Sequence, residues 1–532
     1  MNVKYYFFLF ILLSAISCNN LEEDLVGELR NDINIPPLYP QADCGCEPNL
    51  IGGYGLFRTT GTADHGGYFT LQEVTSDEMV ITGKGRDWSS GANLTLHRHT
   101  YRPSHVFLNS TWVQTYDAIN SLNKVIDSNP NLDAAEEAQA KVLRAYFYLR
   151  LIDLFGNVKL VTSAQEDGMQ VSRTVLFEFI ESEILTALGL TEITETMDLS
   201  ESPLDDTNNN VYNINQYAAL GILAKLYLNA EVYTGERYYQ EAAWTATYII
   251  DSGHYHLCGQ GCRVPNLGKR NGVASDPDNL EGYAAVFAPN NENNPEHIFA
   301  VLYDELGAGG MNFSHMNLHY GSQLSYNLSE QPWNGYSTLE AFYNAYDDDD
   351  ARKTANFLVG IQLDFGGNAI LDYETNDENI VLNYTPQINE LIPNAKREAG
   401  VRAKKFSYKL FGSANMDNDY PIIRLGEIYL IRAEALARES GDWNQAIPDV
   451  NILRERANVS IYTTLNEKEF LAERGREMFH EASRRTDLIR FGQYNSAWWE
   501  KPLDPSSHVN IFPIPEAQIQ ASGGTLVQNP GY

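Results

Sequence analysis

Apolar residues recur at three- and four-residue steps in several blocks of the chain, which predicts amphipathic helices. Within residues 215–230, one helical face collects the apolar positions Tyr217, Leu220, Leu223, Ala224 and Tyr227. A turn at residues 234–236 separates this block from a second amphipathic stretch at 239–250. The two stretches are predicted to form a helical hairpin.

The same arrangement recurs at two other places in the chain. Residues 425–437 and 443–457 flank a break at 440–442, and a stretch at 111–126 precedes another at 138–155. Small residues at close-approach positions and a period of about 34 residues are typical of tetratricopeptide hairpins, which bury their apolar faces on one another. The pattern therefore predicts a mainly α fold of stacked helix pairs.

Residues 258–416 are predicted to be a long irregular region between the helical blocks. Gly, Asn and Asp are dense there, and aromatic residues occur without a helical period. Long loops on rigid elements are where binding sites are commonly built. Near the N-terminus, Pro36, Pro37 and Pro40 interrupt any helix, so residues 18–50 are predicted to be an extended lead.

The first residues predict export. A positively charged start, an apolar run at residues 5–16 and small residues before Cys18 resemble a bacterial lipoprotein signal, in which Cys18 is lipidated. The run is shorter than the roughly 20 residues that span a bilayer. Ala15 stands where the motif usually has Leu, and a plain secreted protein is the alternative. The acidic residues 21–24 resemble a surface-export tag or form a solvated linker.

The charge of the chain limits its partners. It has 38 Lys and Arg against 70 Asp and Glu, a net charge of −32. Neutralising phosphates requires clustered cations, so no nucleic-acid partner is expected, and binding to anionic lipid surfaces is disfavoured. Contact with a membrane is therefore expected through the N-terminal lipid.

Cysteine and histidine pairs do not predict a metal site. After the anchor, four cysteines permit three disulfide pairings, and their spacing lacks the C-x-x-C of zinc sites: Cys44, Cys46, Cys258 and Cys262. His97 and His99 share one face of a strand-like stretch at 94–100, but no third ligand is visible. Packing or hydrogen bonding is the preferred interpretation of both histidines.

Two charged motifs also have structural interpretations. His480 and Glu481 begin an H-E-x-x-H pattern whose second His is replaced by Arg484, so an ion pair between Glu481 and Arg485 on a helix is predicted instead. The acidic residues 347–350 are predicted to cap a helix and pair with Arg352 and Lys353, with calcium as the alternative. No cofactor is predicted, and a structural calcium ion is the open alternative.

Aromatic residues in loops are the most suggestive chemistry. One set, Arg86, Asp87 and Trp88, lies in a Gly-rich loop at 82–91, and the other, Trp333 to Tyr336, lies in the irregular region. Exposed rings can stack on sugars while polar neighbours bond hydroxyl groups. The chain contains no G-x-S-x-G elbow, P-loop or dinucleotide fingerprint.

Short motifs along nearly the whole mature chain resemble those of the SusD/RagB family of nutrient-binding lipoproteins. The N-terminal ones are SDEMV at 76–80, RDW at 86–88, LHRHT at 96–100, LRAYFYL at 143–149 and LFGNV at 154–158. The C-terminal ones are DYPIIRL at 419–425, AEAL at 433–436, ERGRE at 473–477, DLIRFG at 487–492, FPIP at 512–515 and NPGY at 529–532. One departure is ASR at 482–484, where the family more often has Gly-His-Arg.

The resemblance implies a SusD-like fold with about four tetratricopeptide-like hairpins, and no catalysis. It implies a surface-exposed, lipid-anchored protein of the outer membrane that binds oligosaccharides and delivers them to a SusC-like TonB-dependent transporter. Peptides are the alternative cargo, because the RagB branch suggests them. Carried onto this sequence, the ligand-binding residues are expected to be Arg86, Asp87, Trp88, His319, Tyr320, Trp333, Asn334 and Tyr336.

The chain is accordingly divided into five parts. They are a signal peptide at 1–17, a lipid-anchored lead at 18–50, an N-terminal region with tetratricopeptide-like hairpins at 51–257, an irregular ligand-binding region at 258–416 and a C-terminal region with the last hairpin at 417–532. Two other functions stay open. A surface glycoside hydrolase would release new reducing ends, and an interaction scaffold would hold peptides or partner proteins.

Overall fold

The computed structural model describes residues 49–128, 132–372 and 380–532. The signal peptide, Cys18, Cys44, Cys46 and all but the last two residues of the extended lead therefore lie outside the described residues. Among the described helices, none is both long and apolar enough to cross a bilayer.

Helices dominate the described residues. In chain order they are α1 Leu50–Thr59, α2 Tyr68–Glu73, α3 Gly91–His97, α4 Val106–Ser128, α5 Ala134–Leu154, α6 Arg173–Ala187, α7 Gln216–Leu228, α8 Ala230–Thr234, α9 Tyr239–Asp251, α10 Tyr283–Val286, α11 Phe313–Asn317, α12 Gln323–Tyr326, α13 Glu340–Tyr343, α14 Ala351–Asn356, α15 Leu425–Ser440, α16 Ile447–Arg456, α17 Glu467–Met478, α18 Arg484–Arg490 and α19 Glu516–Ala521. Single 3-10 turns lie at Tyr320–Ser322, Trp443–Ala446 and Ser507–Asn510.

The strands are short and pair two by two. They are β1 Met79–Ile81, β2 Lys159–Leu160, β3 Met169–Gln170, β4 Arg263–Pro265, β5 Asn279–Glu281, β6 His297–Val301, β7 Tyr336–Thr338, β8 Phe357–Leu358, β9 Gly360–Ile361, β10 Asn383–Tyr384, β11 Arg402–Ala403 and β12 Tyr420–Arg424. The antiparallel pairs are β1–β7, β2–β3, β4–β5, β6–β12, β8–β11 and β9–β10.

The predicted mainly helical fold and its three helix pairs are confirmed. They are α4 with α5, α7 with α9, and α15 with α16. Local signals set their ends: Asp133 and Glu136 form a capping box at the start of α5, and Asn215 caps α7. Gly235 ends α8 with φ of 85°, a left-handed conformation that glycine adopts without steric cost.

Two predictions about local structure are wrong. The stretch at 94–100 is largely helical, and both of its histidines are buried and hydrogen-bonded, His97 to the carbonyl of Trp499 and His99 to Asp504. Glu481 and Arg485 do not pair, because α17 ends at Met478 and both His480 and Ala482 have positive φ. Glu481 binds Arg424 and Lys405 instead, and Arg485 binds Asp153.

Two other expectations are resolved by the structure. Of the three disulfide pairings permitted by sequence, the described residues show Cys258 joined to Cys262. The acidic turn caps α14 as predicted: Asp350 accepts from the backbone N–H of Arg352 and pairs with its guanidinium at 2.8 Å, and Lys353 pairs with Asp348 at 2.7 Å.

Candidate ligand-binding site

A short strand pair brings the two aromatic loops together. Strands β1 and β7 run antiparallel, with Ile81 opposite Tyr336. The loop at 82–90 leaves the end of β1, and residues 333–335 enter β7 beside it. Antiparallel pairing therefore places the two loops at the same end of the strand pair, although some 250 residues separate them.

Trp88 is held in place by three contacts. Its indole N–H donates to the carbonyl of Trp333 at 2.6 Å, and its ring meets that of Tyr336 edge to face at 6.1 Å. The ring also lies against Gly335, where a Cβ would come within 2.6 Å of Trp88 Cζ2. The two tryptophans are thus neighbours, and each side chain remains half-buried rather than sealed in the core.

His65, which the sequence analysis missed, extends this surface beyond Trp333. Its imidazole lies edge to face with Trp333 at 5.0 Å, and its side chain is 47% exposed. The hydrogen bond to Asp64 at 2.8 Å raises the pKa of His65, and Asn312 in turn binds Asp64. The only signal in the sequence was the glycine-rich loop at 61–67 that carries this histidine.

On the other side of Trp88, polar groups border the rings. The Tyr320 hydroxyl donates to Asp87 at 2.5 Å, and the Arg397 guanidinium lies 5.9 Å from the centre of the Tyr320 ring. Tyr320 is half-buried, and Arg86 and Asp87 are exposed. We call His65, Trp88, Tyr320 and Trp333 the ring platform. It combines flat apolar faces with donors and acceptors at their edges.

Three of the predicted ligand contacts lie beneath this surface. Asn334, Tyr336 and His319 are at most 1% exposed, and each is bound by protein groups. Asn334 bonds Arg402 and the carbonyl of Arg397, the Tyr336 hydroxyl bonds Thr70, and His319 accepts from the backbone of Gly321. These residues were predicted to touch the ligand, but the structure places them in a supporting position instead. Side chains that are buried and already hydrogen-bonded present nothing to a ligand.

Two buried cations support the platform from below. Arg402 donates to the side chain of Asn334 at 2.8 Å and to the carbonyls of Arg397, Ala399 and Gly400 at 2.7–2.9 Å. Lys84 donates to the carbonyl of Gly335 at 3.3 Å. Among the described residues neither has a carboxylate within ion-pair distance, and burial lowers the pKa of both, of Lys84 well below its ordinary value. Their role is to satisfy backbone carbonyls behind the rings.

Replacing Gly335 with alanine should displace Trp88. The new Cβ would lie 2.6–2.9 Å from three atoms of a rigid indole, which cannot move without losing its bond to Trp333. We expect red-shifted tryptophan emission and a loss of about 1–3 kcal/mol in the free energy of unfolding, the usual cost of overpacking. Gly91→Ala is the matched control, since nothing lies within 4 Å of its Cβ position. Equal spectra for the two variants would contradict the packing described here.

The described residues contain no cluster of three or more His, Cys, Asp or Glu side chains that could hold a metal ion. What the site offers is stacking and hydrogen bonding.

Comparisons with known proteins match this fold. Residues 295–532 match a family described as the SusD family, and residues 63–228 match one described as starch-binding and associating with the outer membrane. The starch-binding protein SusD of Bacteroides thetaiotaomicron is 24% identical, over 94% of this chain and 95% of its own.

Two solved structures share the fold at low identity. A laminarin-binding SusD-like protein superposes with a TM-score of 0.66 and 20% identity, covering 91% of this chain and 98% of its own. Surface glycan-binding protein A of Bacteroides thetaiotaomicron, in complex with laminarihexaose, superposes with a TM-score of 0.64 and 20% identity, covering 90% of this chain and 98% of its own. The descriptions of these three proteins name starch, laminarin and laminarihexaose as what they bind. The chain is thus similar to proteins of the SusD/RagB family along nearly its whole length.

Proposed function

We propose that this protein binds oligosaccharides at the cell surface without cleaving them, and that the ring platform is where they bind. The observation that carries the proposal is the contact between Trp88 and Trp333: the Trp88 indole donates to the carbonyl of Trp333, so two half-buried tryptophans lie together at one end of the β1–β7 pair. Flat sugar faces stack on such rings, which is why aromatic side chains on loops suit carbohydrate capture.

Polar groups around the rings would fix the hydroxyls of the ligand. We assign this role to the side chains of Arg86 and Asp87 and to the polar atoms of Tyr320 and His65, all of which reach the surface. Each ring contributes roughly 0.5–1.5 kcal/mol beyond area burial, so two or three rings with hydrogen bonds give micromolar to millimolar affinity after association costs. Weak binding suits a protein that must release its cargo.

The cargo is proposed to be a glucan. Support comes from the relatives, one named for binding starch and others for binding laminarin or laminarihexaose. Titration of the purified protein with malto-oligosaccharides and with laminari-oligosaccharides of equal length compares the two linkages directly. Peptide mixtures serve as the third arm, and binding of peptides alone would contradict the proposal.

Trp88→Ala and Trp333→Ala should each weaken oligosaccharide binding by about tenfold, because each removes a stacking face. Isothermal titration calorimetry measures the change. Phe411→Ala is the control, since that ring is 64% exposed and its aromatic neighbour among the described residues is Phe365, which is not part of the platform. Unchanged affinity in both tryptophan variants would reject this site. New reducing ends in wild-type incubations would favour the hydrolase instead.

The remaining expectations concern anchoring and delivery. We propose that Cys18 carries a lipid that holds the protein on the outer membrane, and that the stacked helix pairs are tetratricopeptide-like units which face a SusC-like TonB-dependent transporter. The lipoprotein-like N-terminal sequence and the family assignment support this arrangement.

A further inference from the structure

Two glutamates face each other in the core beside the strand pair that carries the platform. Glu73 ends α2, Glu78 immediately precedes β1, and both side chains are 0% exposed. Glu73 Oε1 accepts from the backbone N–H of Ala482 at 2.7 Å, and Glu78 Oε2 lies 3.5 Å from that of His480. The two carboxyl groups are in hydrogen-bonding contact with each other. In the part of the chain that the structure describes, no other group bonds their remaining oxygens, Glu73 Oε2 and Glu78 Oε1.

An ionised carboxylate only accepts hydrogen bonds, so two carboxylates cannot satisfy each other. The nearby cations are engaged elsewhere. Arg484 pairs with Asp77 at 2.7 Å and stays 3.9 Å from Glu78, and Lys405 binds Glu481. A doubly ionised pair would therefore bury an uncompensated negative charge and two unsatisfied oxygens.

The other groups facing the pair do not change this balance. Asp77 and Glu481 are already paired, with Arg484 and Lys405. Burial, with Lys405 nearby, lowers the pKa of His480 far enough to leave the ring neutral. Burial likewise raises the pKa of Tyr346 and Tyr420 well above the ordinary tyrosine value, so both stay neutral.

We propose that Glu73 and Glu78 share one proton at neutral pH as a carboxylic acid–carboxylate hydrogen bond. The shared proton supplies the donor that both free oxygens lack and removes one of two like charges. Burial raises the pKa of both side chains, and the negative charge of Glu73 raises that of Glu78 further. The pair then titrates as a unit.

The position of the pair gives the proton a structural role. It ties the α2–β1 segment to residues 480–482, and the carbonyl of Glu78 accepts from the backbone N–H of Leu339 at 2.9 Å, next to β7. Strands β1 and β7 carry the two tryptophan loops. Without the proton, two carboxylates would repel each other at the end of this strand pair opposite the tryptophan loops. We therefore expect alkaline pH to weaken the link between the α2–β1 segment and residues 480–482.

Linkage gives the sign of the effect on stability. In the unfolded chain both glutamates ionise near 4.5, whereas burial raises the pKa of Glu73 to about 7 in the fold. Over this window the unfolded state binds fewer protons, so stability from the pair is lost as pH rises. The unfolding equilibrium constant should increase by up to about tenfold per pH unit from this proton.

Urea unfolding of the full mature chain over this pH window tests the proposal. In Glu73→Gln an amide N–H replaces the proton permanently, so the pH-dependent loss of stability should shrink by that tenfold-per-unit component. If Glu73→Gln does not fold, Glu78→Gln tests the same loss of pH dependence by replacing the other carboxyl group of the pair. Glu439→Gln, at an exposed site, should keep the wild-type slope.

Infrared spectroscopy reports on the proton directly. At about pH 6, well above the ordinary glutamate pKa, wild-type protein should show the C=O band of a buried protonated carboxyl group that either Gln variant removes. A wild-type slope in both Gln variants, or wild-type protein without such a removable band, would overturn the shared proton. Neither readout uses a ligand, so the outcome is independent of the proposed sugar site.

Discussion

Replacing Arg424 with methionine should lower the free energy of unfolding by about 3–5 kcal/mol, because it leaves buried carboxylates without their partner. Arg424, at the end of β12, bonds three glutamates at once: Glu296 and Glu477 at 2.8 Å, and Glu481 at 2.6–2.7 Å. All three acids are buried. Methionine has a similar stem but offers no donor, so the substitution isolates the guanidinium.

The surrounding network cannot compensate for this loss. Arg456 also binds Glu296 and Glu477, but the second oxygen of Glu477 is already held by Arg352 at 3.1 Å. Burial would raise the pKa of Glu477, yet Arg456, Arg424 and Arg352 together hold it well below the ordinary value. Removing one of three cations therefore leaves excess negative charge in a medium that solvates it poorly.

Chemical denaturation of the variant at neutral pH measures the effect. Arg263→Met is the control, since Arg263 is exposed and has no ion pair among the described residues; we expect a change within about 0.5 kcal/mol there. A loss of less than about 1 kcal/mol in Arg424→Met would mean that Arg456 and Lys405 suffice to hold the glutamates. The cooperative network described above would then be wrong.

Glutamates of the same core thus shift in opposite directions. Glu477 meets three guanidinium groups and its pKa falls despite burial, whereas burial raises the pKa of Glu73 because its hydrogen bonds do not offset the loss of solvation. Burial is shared by both, so the difference comes from the partners alone. The three arginines that hold Glu477 lie 21 to 125 residues away from it in sequence, so no local pattern could distinguish the two glutamates.

The helix pairs could be predicted because their signal is local. Apolar residues at helical spacing, caps such as Asn215 and a glycine such as Gly235 all act within a few residues. The ion pair between Glu481 and Arg485 also rested on local spacing, but it failed because positive φ at His480 and Ala482 breaks the helix. Ion-pair choice in this corner is set by tertiary contacts instead.

The candidate site divides in the same way. Trp88 and Trp333 were predicted from rings in glycine-rich loops, and the strand pair does bring them together. The burial of Asn334 could not be predicted, because it depends on a hydrogen bond from Arg402, which lies 68 residues away in sequence. The residues around Asn334 give no sign of that contact. His65 was missed for a related reason: its contact with Trp333 exists only after α1 and β7 have packed in one core.

Arg402 provides the second large effect. Replacing it with methionine should lower the free energy of unfolding by at least about 3 kcal/mol, because buried acceptors lose a charged donor. These acceptors are the side chains of Asn334 and Ser337 and the carbonyls of Arg397, Ala399 and Gly400. The same change should weaken oligosaccharide binding by about tenfold or more, because the 333–335 turn under the platform loses its support. Unfolding and calorimetric titration measure the two effects.

Arg402→Lys separates charge from geometry. A lysine keeps the positive charge but offers three donors from one point, whereas the guanidinium fork reaches acceptors on both the 334–337 and 397–400 segments. We therefore expect the lysine variant to recover less than half of the lost stability and to remain a weak binder. Full recovery of both stability and oligosaccharide affinity in Arg402→Lys would show that positive charge alone supports the platform. The bridging geometry of the guanidinium group would then not be needed to hold the rings.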